Sequence, residues 1–184
     1  MPIESFAFNT DWRCFKKDEV ISFRPGINIL VGDQGCGKSS ILQIFGMGNK
    51  AAKEIVGITG KCRTASLDFE RNNPRVQGHI DHMIHALSRW KSHGETVLLL
   101  LQFLSEPKDE ATTFLLDEPD MALSLRSVYR LANMFHTTVE VGHQIIAAVH
   151  HPTLIQSVPE VLSLEHRRWM AADEFIASQM IEKK

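Results

Sequence analysis

Cysteine is scarce. Cys14, Cys36 and Cys62 are widely spaced, form no CxxC pair and have no histidines at matching intervals, which argues against a zinc site and a disulfide framework. A reducing compartment is expected. An excess of positive charge is also lacking: 20 Lys and Arg against 22 Asp and Glu give a formal net charge of −2, so no overall basic field exists to hold nucleic acid non-specifically. No stretch approaches the roughly 18 apolar residues of a spanning helix, and Met1 to Asn9 lacks the basic start and long apolar run of a leader. The expectation is a cytoplasmic protein with no membrane insertion. Internal repeats and low-complexity tracts are missing, and glycine and proline are not gathered into a linker, so residues 1–184 are read as one domain. What is present is ordinary: 184 residues, 43% hydrophobic and 23% charged, enough to bury a core without disulfides or metal.

Hydrophobic patterning predicts alternating strands and helices. Val20 to Phe23 is a short apolar run, and the turn Arg24-Pro25-Gly26 leads into Ile27 to Val31, a buried β-branched strand. Ile41, Leu42, Ile44 and Phe45 recur at helical spacing and are closed by Gly46 and Gly48. Thr64 to Glu70 alternates like a strand, Asn72-Asn73-Pro74 breaks it, and Val76 to Trp90 reads as a helix. Further strands are expected at Thr113 to Leu116, Gln144 to Val149 and Val161 to Leu164, with helices at Leu123 to Phe135 and Ala171 to Ile181. The unbroken apolar run Val97 to Leu101 fits a strand or a buried helix. Such alternation implies an α/β fold with a mainly parallel central sheet flanked by helices and covered on both faces.

Between the strand ending at Val31 and the helix opening at Lys38 stands Gly32-Asp33-Gln34-Gly35-Cys36-Gly37-Lys38-Ser39, which satisfies G-x-x-x-x-G-K-[ST] in the context its mechanism needs. Glycines allow successive backbone N–H groups to face phosphate oxygens, and the helix start adds positive potential. Lys38 is expected to reach the β- and γ-phosphates and Ser39 to ligate Mg²⁺, with Ser40 following on the same turn. Cys36 needs no redox role. A second chemical element is Phe114-Leu115-Leu116-Asp117-Glu118-Pro119-Asp120, where an apolar strand delivers a carboxylate pair to the sheet's C-terminal edge. Asp117 would hold Mg²⁺ through its water shell, and Glu118 would polarise an attacking water. A guanine-specific site would want N-K-x-D after a strand; Asn49-Lys50-Ala51-Ala52 lacks the aspartate.

The residues resemble an ABC-class P-loop ATPase, in particular the soluble SMC, Rad50 and RecF-like branch and its small AAA-type relatives. Four further segments carry the resemblance: Ser92-His93-Gly94-Glu95, similar to the S-x-G-E signature; Leu116 to Ser124, similar to the Walker B and D-loop run; Ala148-Val149-His150-His151-Pro152, similar to the switch-histidine motif; and Trp12-Arg13-Cys14-Phe15, similar to the NFRSF opening. They occur in family order. Only about fifty residues separate Lys38 from Ser92, too few for coiled-coil arms. The resemblance therefore implies an ABC ATPase-like head with a short helical insert and no coiled-coil arm.

By that resemblance Ser92, Gly94 and Glu95 begin a helix, and Ser92 and Gly94 bind the γ-phosphate of the opposite protomer. His150 hydrogen-bonds the γ-phosphate, and Arg13 either adds a cation near the phosphates or makes a surface ion pair. The Q-loop position falls on Glu70, which would join Ser39 and Asp117 at the metal, with Gln77 as the rival. Ser124 replaces a common D-loop aspartate. The implied protein binds ATP and Mg²⁺, closes as a homodimer around two nucleotides, and acts on DNA or through an effector partner; the alternatives are a transporter's nucleotide-binding subunit and a non-hydrolysing switch. His79, His82 and His85 are read as a solvated helix face rather than metal ligands, and His166-Arg167-Arg168-Trp169 as a basic surface turn rather than a nucleic-acid contact.

Overall fold

The computed structural model describes residues 2–44, 49–60, 63–68, 110–121 and 123–180. The elements run β1 (Ser5–Phe8), β2 (Val20–Ser22), β3 (Ile27–Val31), α1 (Lys38–Ile44), α2 (Asn49–Ile55), β4 (Val56–Thr59), β5 (Arg63–Asp68), β6 (Thr112–Asp117), α3 (Leu125–Glu140), β7 (Gln144–Ala148), α4 (Pro152–Ile155), β8 (Glu160–Ser163), β9 (Arg168–Ala171) and α5 (Ala172–Met180). A six-stranded sheet has the order β5-β6-β7-β3-β8-β9. Its first five strands are parallel, and β9 turns back antiparallel on β8. The mainly parallel α/β architecture expected from the sequence is what forms.

Strand side chains alternate between faces, and that alternation divides the interior. Ile29, Val31, Phe114, Leu116, Ile145 and Ala147 point to one face, where α3 supplies Val128, Leu131 and Phe135, α4 supplies Leu154 and Ile155, and α5 supplies Phe175. Leu30, Leu115, Ile146, Ala148 and Leu162 point to the other, against Ile41, Leu42 and Ile44 of α1 and the aromatics Phe6, Phe8 and Phe15. This second face is covered by α1 together with a three-stranded antiparallel sheet of order β2-β1-β4. Here Phe8 and Phe15 stack with ring centroids 4.5 Å apart. The described part of the chain thus has both faces covered, one of them largely by a second sheet. Among the described residues no helix is long and apolar enough to cross a membrane.

Several boundaries move from their expected places for identifiable reasons. The helix expected over Leu123 to Phe135 begins at Leu125, because the Ser124 hydroxyl accepts from Ser127 N as an N-cap. It continues to Glu140, with Thr138 buried and returning its hydroxyl to Met134 O at 2.7 Å. The helix expected at Val76 to Trp90, the run at Val97 to Leu101 and the short insert lie outside the described residues.

Gln144, the first residue of β7, binds three separate parts of the chain. Its amide nitrogen donates to Ile3 O and Arg24 O, both at 2.9 Å, and its oxygen accepts from Ile3 N at 2.9 Å and Thr113 Oγ1 at 2.7 Å. A buried amide so fully used is expensive to delete, because every partner loses its match at once. Gln144→Ala is expected to destabilise the fold by about 3 kcal/mol, measured as a lowered urea midpoint at unchanged slope; a midpoint within error of the parent would contradict this account.

Candidate functional site

Three strand ends meet because β7 lies between β6 and β3. The registers set Leu30 and Asp117 each beside Ala148. The segments following these strands, from Gly32, Glu118 and Val149 onward, therefore leave the same sheet edge side by side, where open α/β sheets collect ligands.

The first segment is the glycine loop. Gly32, Gly35 and Gly37 have φ of 132°, 85° and 109°, values that side-chain-bearing residues rarely adopt. At Gly37 an added Cβ would lie 2.5 Å from the Phe15 ring and 2.6 Å from Cys14 Sγ, so the loop's close seat on the Trp12–Phe15 turn also demands glycine. Lys38 is buried and its Nζ donates to Gly32 O at 2.6 Å and Asp33 O at 3.2 Å, curling the ammonium into the loop it follows. Ser39 Oγ donates to Asp117 Oδ1 at 3.1 Å, joining this segment to the second. A hydroxyl and a carboxylate in contact form an oxygen donor set suited to a hard divalent cation. Burial pushes the Cys36 thiol up, against the lowering influence of Lys38 and Arg167, in keeping with a cysteine that needs no redox role.

The second and third segments carry the other ionisable groups. Glu118 has φ 53°, the left-handed region that a non-glycine residue enters at a cost of about 1–3 kcal/mol. Its backbone N–H donates to Ala148 O at 3.0 Å, and its Oε1 lies 3.2 Å from His150 Nε2. Asp120 fixes this pairing from beneath. Buried, it accepts through Oδ2 from His150 N at 2.7 Å and His151 N at 2.6 Å. His151 then caps α4, its Nδ1 accepting from Thr153 N.

A cleft of about 870 Å³ runs across these segments. Gly32 to Gly35, Gly37 to Ser40, Glu118 and His150 form its polar side, and Ile155, Phe175, Ile176 and Met180 much of its apolar side. Gly32, Asp33, Gln34, Gly35, Gly37, Lys38, Ser39, Ser40, Glu118 and His150 are therefore brought together as expected. Asp117 sits just behind, through Ser39. Cys36 turns its side chain partly inward and does not line the cleft. Arg13 makes no ion pair among the described residues; its guanidinium donates to Ser40 Oγ, at the edge of the cleft, at 2.8 Å and to Gln43 Oε1 at 3.1 Å, bracing α1, and stacks on Trp12. Glu70, Gln77, Ser92, Gly94 and Glu95 lie outside the described residues, as do His79, His82 and His85.

Two contributions escaped the sequence reading. Asp120 was visible only as one more acidic residue of the turn, and the signal that marks it, two adjacent amides from the segment after β7, is tertiary. The α5 wall of the cleft is likewise a product of packing, since Phe175 and Ile176 read in sequence as ordinary amphipathic helix. Replacing Asp120 with alanine strands two backbone N–H groups and is expected to cost about 2 kcal/mol or more. In that variant the amides of residues 150 and 151 should exchange with deuterium faster than in the parent; unchanged protection would show that the carboxylate does not hold them.

The model of the AAA domain family matches residues 10–79, which include the glycine loop. No curated protein matches the sequence. Among solved structures, one described as a metal-chelate type ABC transporter in an inward-facing conformation aligns with TM-score 0.60 at 16% identity, covering 94% of this chain and 84% of that one. An ATP-binding subunit of an ABC transporter aligns with TM-score 0.58 at 14% identity, covering 100% of this chain and 95% of the other. At such identities these likenesses show the fold, and they do not single out the SMC, Rad50 and RecF-like branch.

Proposed function

We propose that this chain, which has the P-loop fold of ABC-class ATPase subunits, binds ATP with Mg²⁺ and hydrolyses it within a nucleotide-clamped pair of copies. The observation that supports this most directly is the pair of contacts at one cleft, Ser39 with Asp117 just behind its wall and His150 with Glu118 on its lining. The first suits a cation and the second suits a water held for in-line attack.

Lys38 releases the loop carbonyls it now holds and turns to the β- and γ-phosphates. Ser39 and Asp117 would hold Mg²⁺, Asp117 through its water shell, and the ion would supply charge neutralisation on the phosphate oxygens. Glu118 orients and deprotonates water, and His150 contacts the γ-phosphate side of the cleft. Asp117 is buried behind the loop, while the side chains of Glu118 and His150 remain 33% and 55% exposed on the open cleft. Ser92, Gly94 and Glu95 of a second copy would complete it. The output is carried by DNA or an effector protein, in a cytoplasmic setting.

A second reading, the nucleotide-binding subunit of a transporter, draws on the titles of the two solved structures and their near-complete coverage of this chain. Stable co-purification with a membrane protein would favour it.

Two variants test the first reading. Lys38→Ala is expected to weaken Mg·ATP binding at least tenfold, to about the level of losing a charge-assisted phosphate contact. Glu118→Gln is expected to keep nucleotide affinity while lowering turnover by roughly 100-fold or more, and to elute as a dimer in the presence of ATP. If Lys38→Ala binds ATP as well as the parent, the phosphate site is misassigned; a Glu118→Gln protein that stays monomeric with ATP removes the clamp.

A further inference from the structure

The turn between β8 and β9 is the basic surface turn expected from the sequence, with His166, Arg167 and Arg168 exposed, and its cations are engaged by other parts of the chain. Arg168 pairs with Glu174 at 2.7 Å. Trp169 Nε1 donates to Ser22 O at 3.2 Å, and its ring lies under the Arg24 guanidinium. Arg167 reaches farthest. Its Nη1 donates to Cys36 O at 3.2 Å, its Nη2 to Cys14 O at 3.0 Å, and its Nε meets Glu19 Oε1 at 2.9 Å. The planar group also covers the Phe15 ring at 4.5 Å from its centroid. Two nitrogens donate hydrogen bonds and the third makes an ion pair, tying the β8–β9 turn to the 14–19 segment and to the glycine loop.

The carbonyl that Arg167 takes is a consequential one. Cys36 lies between Gly35 and Gly37, both at positive φ, and its oxygen accepts a second donor, Cys14 Sγ, at 3.3 Å. In a planar trans peptide the C=O and the following N–H point in opposite directions. Holding Cys36 O toward Arg167 and Cys14 therefore turns the Gly37 N–H the other way, and Gly37 lines the cleft. Arg167 itself does not line the cleft, so it acts on the loop and not on what the loop binds. The turn accepts a left-handed conformation to deliver it: Arg167 has φ 54°, a strain that persists where surrounding contacts fix it.

We propose that Arg167 is a positioning residue for the phosphate loop, setting the peptide between residues 36 and 37 with its amide toward the anion before nucleotide arrives. This rests on the phosphate-binding reading above. Preorganisation of this kind lowers the cost of binding without entering the chemistry. Glu19 is the second member of the device: its Oε1 sets a carboxylate charge 2.9 Å from Nε as an ion pair, while its Oε2 accepts from Lys16 N at 3.0 Å.

The test is calorimetric titration of Mg·ATP together with steady-state ATPase kinetics on Arg167→Ala, Arg167→Lys, Glu19→Gln and the Arg167→Ala/Glu19→Gln double variant. Arg167→Ala is expected to weaken ATP binding by about tenfold, and to raise KM similarly, with kcat at saturation within about twofold of the parent. Arg167→Lys, which keeps the charge and loses the fork, should fall between the two. Glu19→Gln should weaken binding by about threefold, and the double variant should be no weaker than Arg167→Ala alone, because both act through one guanidinium. Should Arg167→Ala fail to fold, Glu19→Gln and Arg167→Lys carry the comparison. Parent-like affinity in Arg167→Ala, or a lowered kcat with unchanged KM and a depressed melting temperature, overturns the proposal. Lys38→Ala is run alongside: if it loses ATP while Arg167→Ala does not, only the positioning role fails, whereas if Lys38→Ala retains ATP the phosphate site itself is misplaced.

Discussion

The constraint on which the rest depends is the parallel pairing of β7 between β6 and β3. Parallel neighbours end at the same edge, so the residues following Val31, Asp117 and Ala148 must emerge together, whatever their separation in the chain. Leu30, Leu115, Ile146 and Ala148 are fully buried or nearly so on one face of those strands, and Ile29, Leu116, Ile145 and Ala147 on the other. A one-residue slip in register would expose one whole set. Core packing on both faces thus determines where Ser39 meets Asp117, and no separate device is needed to bring them together.

Around that edge the polar groups are held by backbone contacts more than by one another. Asp120 binds two amides of the segment after β7, and Cys36 O is bound by an arginine and a thiol. Side chains facing the cleft are left with fewer obligations: Glu118 and His150 hold each other and are partly open to solvent. Fixing the chain while leaving its functional ends free is how a site becomes stiff in position and still available to a ligand. The left-handed backbone at Glu118 belongs to the same pattern, a local cost sustained by the hydrogen bond from its N–H to Ala148 O.

Much of this was legible in the sequence, wherever local pattern and tertiary role coincide. β3, the glycine loop and α1 were readable because apolar strand, glycines and lysine occur in one continuous run, and β6 with Asp117 for the same reason. The short strands β1, β4 and β9 were not assigned, although Ser5–Phe8 does alternate, with Phe6 and Phe8 buried and their neighbours half-buried. Four residues give too little periodicity to separate a strand from a loop. Arg13 and Arg167 show the limit most clearly. Both are arginines in turns at positive φ, and nothing in the neighbouring residues says that one braces α1 while the other spans to the glycine loop. That information exists only once β8 lies beside β3.

The amide of Gln144 ties Ile3 to the sheet across 141 positions of sequence. A chain emerging from a ribosome exposes Phe6, Phe8 and Phe15 long before that side chain has been synthesised. The small antiparallel sheet must then wait, unsealed on one side, for most of the polypeptide to appear. Such a delay favours slow, late closure over early local collapse, and it leaves Phe6, Phe8 and Phe15 without Leu115, Ile146 and Leu162, their later-made neighbours, in the meantime.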